Sequence, residues 1–131
     1  MKFHRDGTLP ENGEVFVFGS NLAGIHGAGA AKIAYKKFGA VWGRGVGGPF
    51  GQCFAIPTKD NKIQTMPLSD IEAFVQAFVR FTQAQNLYQI QRQWFVTRIG
   101  CGLAGYKDEQ IAPMFKGAVD CSFAEQWKDY L

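Results

Sequence analysis

The chain has 131 residues and a net charge of +3 at pH 7. Apolar residues make up 47% of it and aromatic residues 15%, which excludes a disordered chain and is enough for the core of one domain, residues 1–131. The sequence has no apolar stretch long enough to cross a bilayer, and its first residues lack the apolar segment of a signal peptide. We therefore expect a cytoplasmic protein without a membrane partner.

Cysteine and charge patterns narrow the functional classes further. The three cysteines show no CxxC spacing and no metal-binding cluster with histidine, so we expect reduced thiols, no metal and no cofactor. Lysine and arginine are scattered without a basic run, which makes nucleic acid the least favoured partner. Sixteen glycines are the strongest signal in the composition, and they are concentrated over residues 19–51 and 100–105.

The first third of the chain predicts a strand, a glycine-rich loop and a helix. Residues 1–14 are predicted to be an extended lead-in that ends in a turn, and residues 15–18 have the composition of a strand. A loop over residues 19–30 leads into a helix that ends near Phe38, with Gly39 as its terminating residue. Such a loop directs backbone N–H groups and the positive end of a helix dipole at one point, which suits an anion.

The middle of the chain predicts a second glycine-rich loop, a short strand and a long helix. Residues 43–51 contain too much glycine for regular structure and predict a loop or flap. Residues 53–56 predict a strand that Pro57 ends. The clearest helix covers residues 69–86, where apolar residues recur at helical spacing and the first turn fits a capping box with Ser69 as N-cap.

The last third predicts one more buried strand and several short elements. Residues 94–99 predict that strand, residues 100–105 a loop, and a short helix begins near Asp108. Residues 118–123 predict an edge strand and residues 125–130 a terminal helical turn. Because strands alternate with helices, we expect an α/β fold with a mostly parallel sheet covered by helices on both faces.

Three predicted loops leave the carboxyl ends of strands, which is where α/β proteins bind ligands. They cover residues 19–30, 57–62 and 100–107, and they predict one pocket floored by backbone N–H groups. Within the first loop, residues 27–31 lack the third glycine of a dinucleotide fingerprint and are not followed by the Gly-Lys-Ser/Thr of a P-loop. Phosphate binding and a tight turn for helix packing therefore both remain open for this segment.

Three side chains in these loops have both a functional and a structural interpretation. Lys59 would contact a phosphate, act as an amine nucleophile, or be a solvated surface lysine. Asn21 would cap a turn or bind a sugar hydroxyl. His26 would be part of the loop surface, or would contact a phosphate or ribose.

The cysteines and two arginines also have functional and structural interpretations. Cys101 would be a nucleophile, but no histidine is placed to activate it, so a buried thiol is favoured. Cys53 and Cys121 are assigned to the core. Arg44 and Arg98 are candidate partners for an anion, and Arg98, which lies in a predicted strand, would alternatively pair with a carboxylate.

Three segments resemble the ligand loops of the macrodomain family, which binds ADP-ribose on a three-layer α/β/α fold. They are residues 18–32, residues 55–59 with the sequence Ala-Ile-Pro-Thr-Lys, and residues 98–103 with the sequence Arg-Ile-Gly-Cys-Gly-Leu. The last string also occurs in the branch that includes terminal ADP-ribose protein glycohydrolase, and the chain resembles that branch most. The resemblance in order and spacing extends over about residues 15–116.

This resemblance implies a small nucleotide such as ADP-ribose as ligand and an ADP-ribosylated protein as partner. It implies that Asn21 faces the distal ribose, that the two glycine-rich loops hold the diphosphate, and that residues 45–48 border the site. The ligand-binding residues that we expect are Gly19, Ser20, Asn21, His26, Gly27, Ala28, Gly29, Ala30, Thr58, Gly100, Cys101, Gly102, Leu103, Ala104 and Gly105.

Catalysis is left open by the resemblance. In the glycohydrolase branch a lysine attacks the anomeric carbon and an aspartate assists proton transfer, and Lys59 fits the place of that lysine. Ala104 stands where the aspartate would be, and because a methyl group cannot transfer a proton, Asp60 or Asp108 would have to substitute. The alternatives are hydrolysis of ADP-ribosyl esters on proteins, with Lys59 and Asp108 as catalytic residues, and a non-catalytic module that binds or sequesters a nucleotide.

Overall fold

The computed structural model describes residues 2–11 and 13–131. Its strands are β1 (Lys2–His4), β2 (Val15–Asn21), β3 (Gly47–Phe50), β4 (Cys53–Lys59), β5 (Trp94–Val96) and β6 (Cys121–Ala124). Its helices are α1 (Gly29–Lys37), α2 (Leu68–Leu87) and α3 (Asp108–Ile111), with 3-10 turns at Ala112–Phe115 and Glu125–Tyr130. Among the described residues, no helix has the combination of length and hydrophobicity that a bilayer-spanning segment needs.

The six strands form one sheet in the order β1-β6-β5-β2-β4-β3. Every neighbouring pair is parallel except β3 and β4, which are antiparallel. This confirms the prediction of an α/β fold with a mostly parallel, mixed sheet. The topology also puts β2 and β4 side by side within the sheet, so the loops that leave their carboxyl ends are neighbours in space.

Helices cover both faces of the sheet because β2 is apolar on both sides. Val15 and Val17 belong to a large core cluster with α2, α3 and the 3-10 turns, where Phe78 of α2 is fully buried. Phe16 and Phe18 point to the other face and pack with α1 in a smaller cluster. Each of these buried phenylalanines contributes on the order of 2 kcal/mol of apolar burial. The sheet is therefore the middle of three layers.

The N-terminal part of the chain differs from its prediction. The expected lead-in contains β1, which pairs in parallel with β6 through Phe3 and Phe123. As a result β6 lies inside the sheet, between β1 and β5, and the prediction of an edge strand there is wrong. A three-residue strand has too short an alternation to be recognised, and only its long-range partner makes it a strand. The turn predicted before β2 includes Asn12, which lies outside the described residues.

Pro57 does not end β4, which continues to Lys59. The last pairing of β3 with β4 is at Ala55, and the next bridge outside the β2–β4 pairing is between Lys59 and Thr65. Since the outer side of β4 is unpaired at Pro57, the missing N–H of proline removes no ladder hydrogen bond there. β2 is likewise longer than predicted and runs to Asn21, whereas β5 stops at Val96.

Two further local predictions are wrong. The segment over residues 43–51 is not purely a loop, because Gly47–Phe50 forms the antiparallel edge strand β3. α2 begins at Leu68, and its N-cap is Pro67 without a side-chain cap, so the capping box at Ser69 is not formed. The carbonyl of Pro67 accepts the first turn's bonds from the N–H groups of Asp70 and Ile71, which starts the helix before Ser69. The short helix at Asp108 and the terminal turn over residues 125–130 are confirmed.

Candidate functional site

An open cavity of about 570 Å³ lies at the carboxyl ends of β2 and β4. Its lining comes from the loop after β2, the end of β4, the loop after β5 and the N-terminal segment over residues 4–9. This volume is in the range of about 300–1,000 Å³ that is typical of small-molecule sites. The three loops that the sequence predicts to meet do line this one cavity.

The N-terminus of α1 forms one wall of the cavity. Ala28 is the N-cap, with an extended backbone, no side-chain cap and no acidic residue in the turn that comes after it. The N–H of Lys32 bonds to the carbonyl of Ala28, but in the described part of the chain the N–H groups of residues 27–31 have no acceptor. Helix amides without acceptors, together with the positive end of the helix dipole, are suited to a phosphate.

The loop after β5 forms the facing wall. Its turn is closed by hydrogen bonds from Tyr106 N–H to the Gly100 carbonyl (2.8 Å) and from Gly105 N–H to the Gly102 carbonyl (3.0 Å). The N–H groups of residues 102–104 have no acceptor within residues 2–11 and 13–131. Leu103 crosses towards α1, since its Cδ1 would lie 3.3 Å from a Cβ built on Gly29. Gly29 has a φ of +56°, so both its space and its backbone favour glycine.

Most of the predicted site residues line the cavity. These are Gly19, Ser20, Asn21, Gly27, Ala28, Gly29, Ala30, Thr58, Lys59, Gly100, Cys101, Gly102, Leu103 and Ala104. Three predicted residues are not in the lining, namely His26, Gly105 and Asp108. The N–H of Gly105 is used within its own turn, and the side chains of the other two are bonded elsewhere in the fold.

His26 does not face the ligand cavity, contrary to its assignment as a ligand-binding residue. The side chain is 1% exposed, and its Nε2 lies 2.9 Å from the carbonyl oxygen of Val41. The ring packs against Phe18, Tyr35 and Trp42. The histidine therefore anchors the loop to an aromatic cluster and does not contact a phosphate.

Asn21 lines the cavity, but its amide group is occupied by the loop itself. Its Nδ2 donates to the carbonyl of Ile25 (2.8 Å), and its Oδ1 accepts from the Ile25 N–H (3.0 Å). Of its two interpretations, this is the one in which the side chain caps a turn. By holding the loop in this shape, Asn21 positions the free amides of residues 27–31.

The second glycine-rich segment does not border the cavity, so the expectation for residues 45–48 is wrong. Gly45 is pressed against β2, where a Cβ would overlap the carbonyl oxygen of Asn21, and its own carbonyl accepts a hydrogen bond from Ser20 Oγ. Gly47 and Gly48 line a separate apolar cavity of about 220 Å³ next to α2. The Arg44 guanidinium lies 5.4 Å above the Phe50 ring and is likewise outside the site.

Asp108 is held in a structural cluster outside the cavity lining, which corrects its assignment as a catalytic residue. Its carboxylate accepts two hydrogen bonds from Arg98, at 2.7 and 3.0 Å, and one from the Nε1 of buried Trp127 at 2.8 Å. Arg98 lines the cavity and also pairs with Asp6 at 3.1 Å, so its guanidinium has the carboxylate-pairing role. Burial raises the pKa of the Asp108 carboxyl, but the hydrogen bonds from Arg98 and Trp127 outweigh it and leave the pKa below its usual value.

Lys59 lies at the end of β4 and is the cavity's cation on that side. Asp60 does not line the cavity, because its Oδ1 accepts from the N–H groups of Lys62 (2.8 Å) and Gln64 (3.0 Å). Among the described lining residues the one carboxylate is that of Asp6, which is already paired with Arg98. Among the described residues that line the cavity, Lys59 therefore has no unpaired carboxylate that could transfer a proton.

Cys101 lines the cavity as a half-buried thiol, and burial raises its pKa to about 12, with the charge of Asp108 adding to the effect. Cys53 and Cys121 are buried, as predicted, and burial raises their pKa values to about 11 and about 12. A thiol with such a pKa is almost entirely protonated near neutral pH and is a weak nucleophile.

Native protein treated with iodoacetamide near pH 8 is expected to keep its thiols. About one thiol in a thousand would be ionised at the pKa of about 11 of Cys53, and about one in ten thousand at the pKa of about 12 of Cys101 and Cys121. The adducts are counted by intact-mass spectrometry. Protein unfolded in guanidinium serves as the control and should take up three adducts. Rapid alkylation of Cys101 in the folded protein would contradict the raised pKa and make this thiol a candidate nucleophile.

Part of the cavity is formed by residues that the sequence does not mark. The N-terminal segment contributes His4 and residues 6–9, where the His4 ring stacks on Phe95 with centroids 3.7 Å apart. His4 Nδ1 lies 2.8 Å from Ser122 Oγ, and burial lowers the pKa of the imidazole despite the nearby charge of Asp6. No local pattern marks this segment as part of a site, because its position depends on the pairing of β1 with β6.

The chain was compared with known protein families, with curated proteins and with solved structures, and no match was found in any of the three. Within the described residues, no group of histidine, cysteine and acidic side chains could hold a metal ion. Fold and cavity together define an α/β protein with an open cleft walled by backbone amides.

Proposed function

We propose that the cavity binds ADP-ribose, or a closely related nucleotide, through its diphosphate. The proposal rests on one observation: two sets of backbone amides without acceptors belong to segments that line the same cavity. One set is at residues 27–31 and the other at residues 102–104. A diphosphate has oxygens on both sides of its bridging atom and would satisfy both sets at once.

Electrostatics support an anion at this place. The α1 terminus offers a positive potential worth about 0.3–1 kcal/mol to an anion, and more where the site is partly buried. Lys59 adds a full positive charge, and no carboxylate among the described residues lies on that side of the cavity. An anion would therefore be attracted by three independent sources, namely the helix, the facing loop and the lysine.

The two ends of the cavity have different linings, which suits a ligand that carries a different chemical group at each end. One end is lined by the apolar side chains of Leu9, Phe16 and Phe95, with the polar groups of Asp6 and Thr8 beside them. This combination suits a planar base with exocyclic donors. The other end contains Lys59 at the end of β4, whose ammonium group can donate hydrogen bonds to sugar hydroxyls.

Binding is favoured over hydrolysis because the second catalytic group is missing. Ala104 has no functional side chain, Asp60 and Asp108 are bonded elsewhere, and Lys59 alone cannot complete the expected proton transfer. We accordingly propose a macrodomain-like module that recognises free or protein-linked ADP-ribose. The three free cysteines agree with a reducing compartment such as the cytoplasm.

Isothermal titration with ADP-ribose, ADP and AMP tests the proposal. We expect one-site binding of ADP-ribose, and AMP should bind at least about tenfold more weakly because it cannot reach both sets of amides. Replacing Lys59 by glutamine should weaken binding, whereas Lys62→Gln, an exposed lysine in the neighbouring loop, should leave it unchanged. Absence of both heat and a thermal shift at millimolar ADP-ribose would refute the proposed ligand.

The wild-type protein and a Lys59→Ala variant decide between binding and hydrolysis. The wild-type protein should release no ADP-ribose from a peptide modified on glutamate, as measured by mass spectrometry of the peptide. Release by the wild type that disappears in Lys59→Ala would instead assign the second function, ester hydrolysis, to this cavity.

A further inference from the structure

Positive charge is concentrated in one segment of the chain. Residues 15–59 contain five lysines and arginines and no aspartate or glutamate, whereas the remainder contains nine cationic and eleven acidic residues. The overall charge of +3 hides this division. Four of the five cations lie on α1 or in the turn after it, so most of this positive charge is on one layer of the fold.

Two exposed aromatic rings lie in the middle of this positive segment. Tyr35 is 47% exposed and Trp42 is 52% exposed, and their ring centroids are 5.3 Å apart at an angle of 70°. His26 packs beneath both rings and is itself 1% exposed. The Nδ1 atom of His26 is buried without a hydrogen-bond partner. The rings are thus held in place from below while their outer surfaces remain open to solvent.

Cations flank the aromatic pair. Lys32 and Lys36 are exposed on α1. Lys32 is three residues before Tyr35 and four before Lys36, so it is a neighbour of both on the helix surface. Arg44 is exposed two residues beyond Trp42. We refer to Lys32, Tyr35, Lys36, Trp42 and Arg44 together as the α1 surface. It is separate from the ligand cavity, because none of the five lines that cavity.

We propose that the α1 surface binds single-stranded nucleic acid. Unpaired bases stack on exposed aromatic rings, and each such contact contributes binding without sequence preference, while lysine and arginine pair with the phosphates between the bases. An acidic protein segment would use the cations but has no need for two exposed rings. A duplex would use the cations but keeps its bases stacked on one another. The combination of rings and cations therefore selects the single strand.

Tryptophan fluorescence offers a direct reporter of this surface. Trp42 is exposed, whereas Trp94 and Trp127 are 1% and 0% exposed, so stacking of a base would quench mainly Trp42. Titration with an oligothymidylate of about 12 nucleotides, at low salt, should quench this emission and raise the anisotropy of a labelled strand. A duplex of the same length and an oligoglutamate of the same charge are the comparison ligands and should bind at least about tenfold more weakly.

Substitutions separate the contribution of the rings from that of the cations. Tyr35→Ala and Trp42→Ala should each weaken binding of the labelled strand about tenfold with little change in salt dependence. Lys32→Gln combined with Lys36→Gln should reduce the slope of log affinity against log salt by about 1.4, which is about 0.7 for each phosphate that is no longer neutralised. The matched control is Lys62→Gln combined with Lys116→Gln, two exposed lysines outside the positive segment, and it should retain wild-type binding.

Three results would overturn the proposal. One is the absence of quenching and anisotropy change at low salt. Another is equal or tighter binding of oligoglutamate, which would assign the surface to an acidic protein. The third is full competition by ADP-ribose, which would place the oligonucleotide in the ligand cavity instead. Circular dichroism of each variant confirms that loss of binding is not loss of folding.

Discussion

Replacing Ala28 by aspartate is expected to stabilise the fold and to abolish most of the affinity for ADP-ribose. Ala28 is the N-cap of α1, has an extended backbone, is exposed, and has no capping side chain. An aspartate there would accept a hydrogen bond from the amide of Ala30 or Ala31, which is worth about 1 kcal/mol of stability relative to alanine. The same carboxylate would occupy amides that we assign to the ligand and would repel a phosphate.

Calorimetry and thermal unfolding measure the two halves of this prediction on one protein. The affinity should fall at least about thirtyfold, equivalent to about 2 kcal/mol, because one or two charge-assisted hydrogen bonds to the ligand are removed. Ala28→Ser is the matched control, since its hydroxyl gives a similar cap without a charge and should cost less affinity. An Ala28→Asp protein that binds ADP-ribose as tightly as the wild type would remove the α1 terminus from the site.

The opposite signs of the two effects make this variant informative. Most substitutions that damage a binding site also destabilise the protein, so loss of binding alone is ambiguous. Ala28 leaves the N-terminus of α1 without the side-chain cap that would stabilise the helix. An uncapped terminus that lines a cavity is the expected arrangement when a ligand supplies the missing acceptor.

The sheet and the loops of the site can be predicted because their signals are local. β2 and β4 are short apolar runs that begin at the predicted residue, and after each of them comes a loop that lines the cavity. The full length of β4 cannot be predicted, because whether proline ends a strand depends on the neighbouring strand. That neighbour, β3, stops pairing at Ala55, and no local pattern reveals this.

The orientation of individual side chains cannot be predicted for the same reason. His26 stands in a glycine-rich loop, where exposure is the natural expectation, yet Val41 and two aromatic rings distant in sequence turn it inwards. Asp108 lies only a few residues after a ligand loop, yet Arg98 and Trp127 hold it outside the cavity lining. In both cases a hydrogen bond between distant residues decides the role of the side chain.

The positive charge of residues 15–59, in contrast, can be read from the sequence, but the net charge of the whole chain does not reveal it. The five cations of residues 15–59 form no basic run longer than the pair Lys36-Lys37. The relevant signal is the absence of carboxylates over that same length. Distribution of charge along the chain is therefore more informative for this protein than the net charge or the local density of basic residues.

Replacing Asp108 by alanine is expected to produce a large loss of stability. It removes three hydrogen bonds at once and leaves the indole N–H of fully buried Trp127 without an acceptor. The Asp108 side chain is partly exposed, so loss of this charged acceptor costs about 2–3 kcal/mol, part of it as the unsatisfied indole donor. For a domain of this size, the midpoint of thermal unfolding should fall by roughly 3–5 °C per kcal/mol.

Unfolding in acid distinguishes a structural role of Asp108 from a catalytic one. Because the folded-state pKa of Asp108 is below its usual value of 3.8, its contribution is present above that value and is lost as the pH falls through the folded pKa. Asp108→Asn should therefore be less stable than the wild type at neutral pH, and the difference should shrink in acid. Glu109→Gln, the exposed neighbour, should follow the wild-type curve. If Asp108→Asn were as stable as the wild type but lost an enzymatic activity, the carboxylate would be catalytic instead of structural.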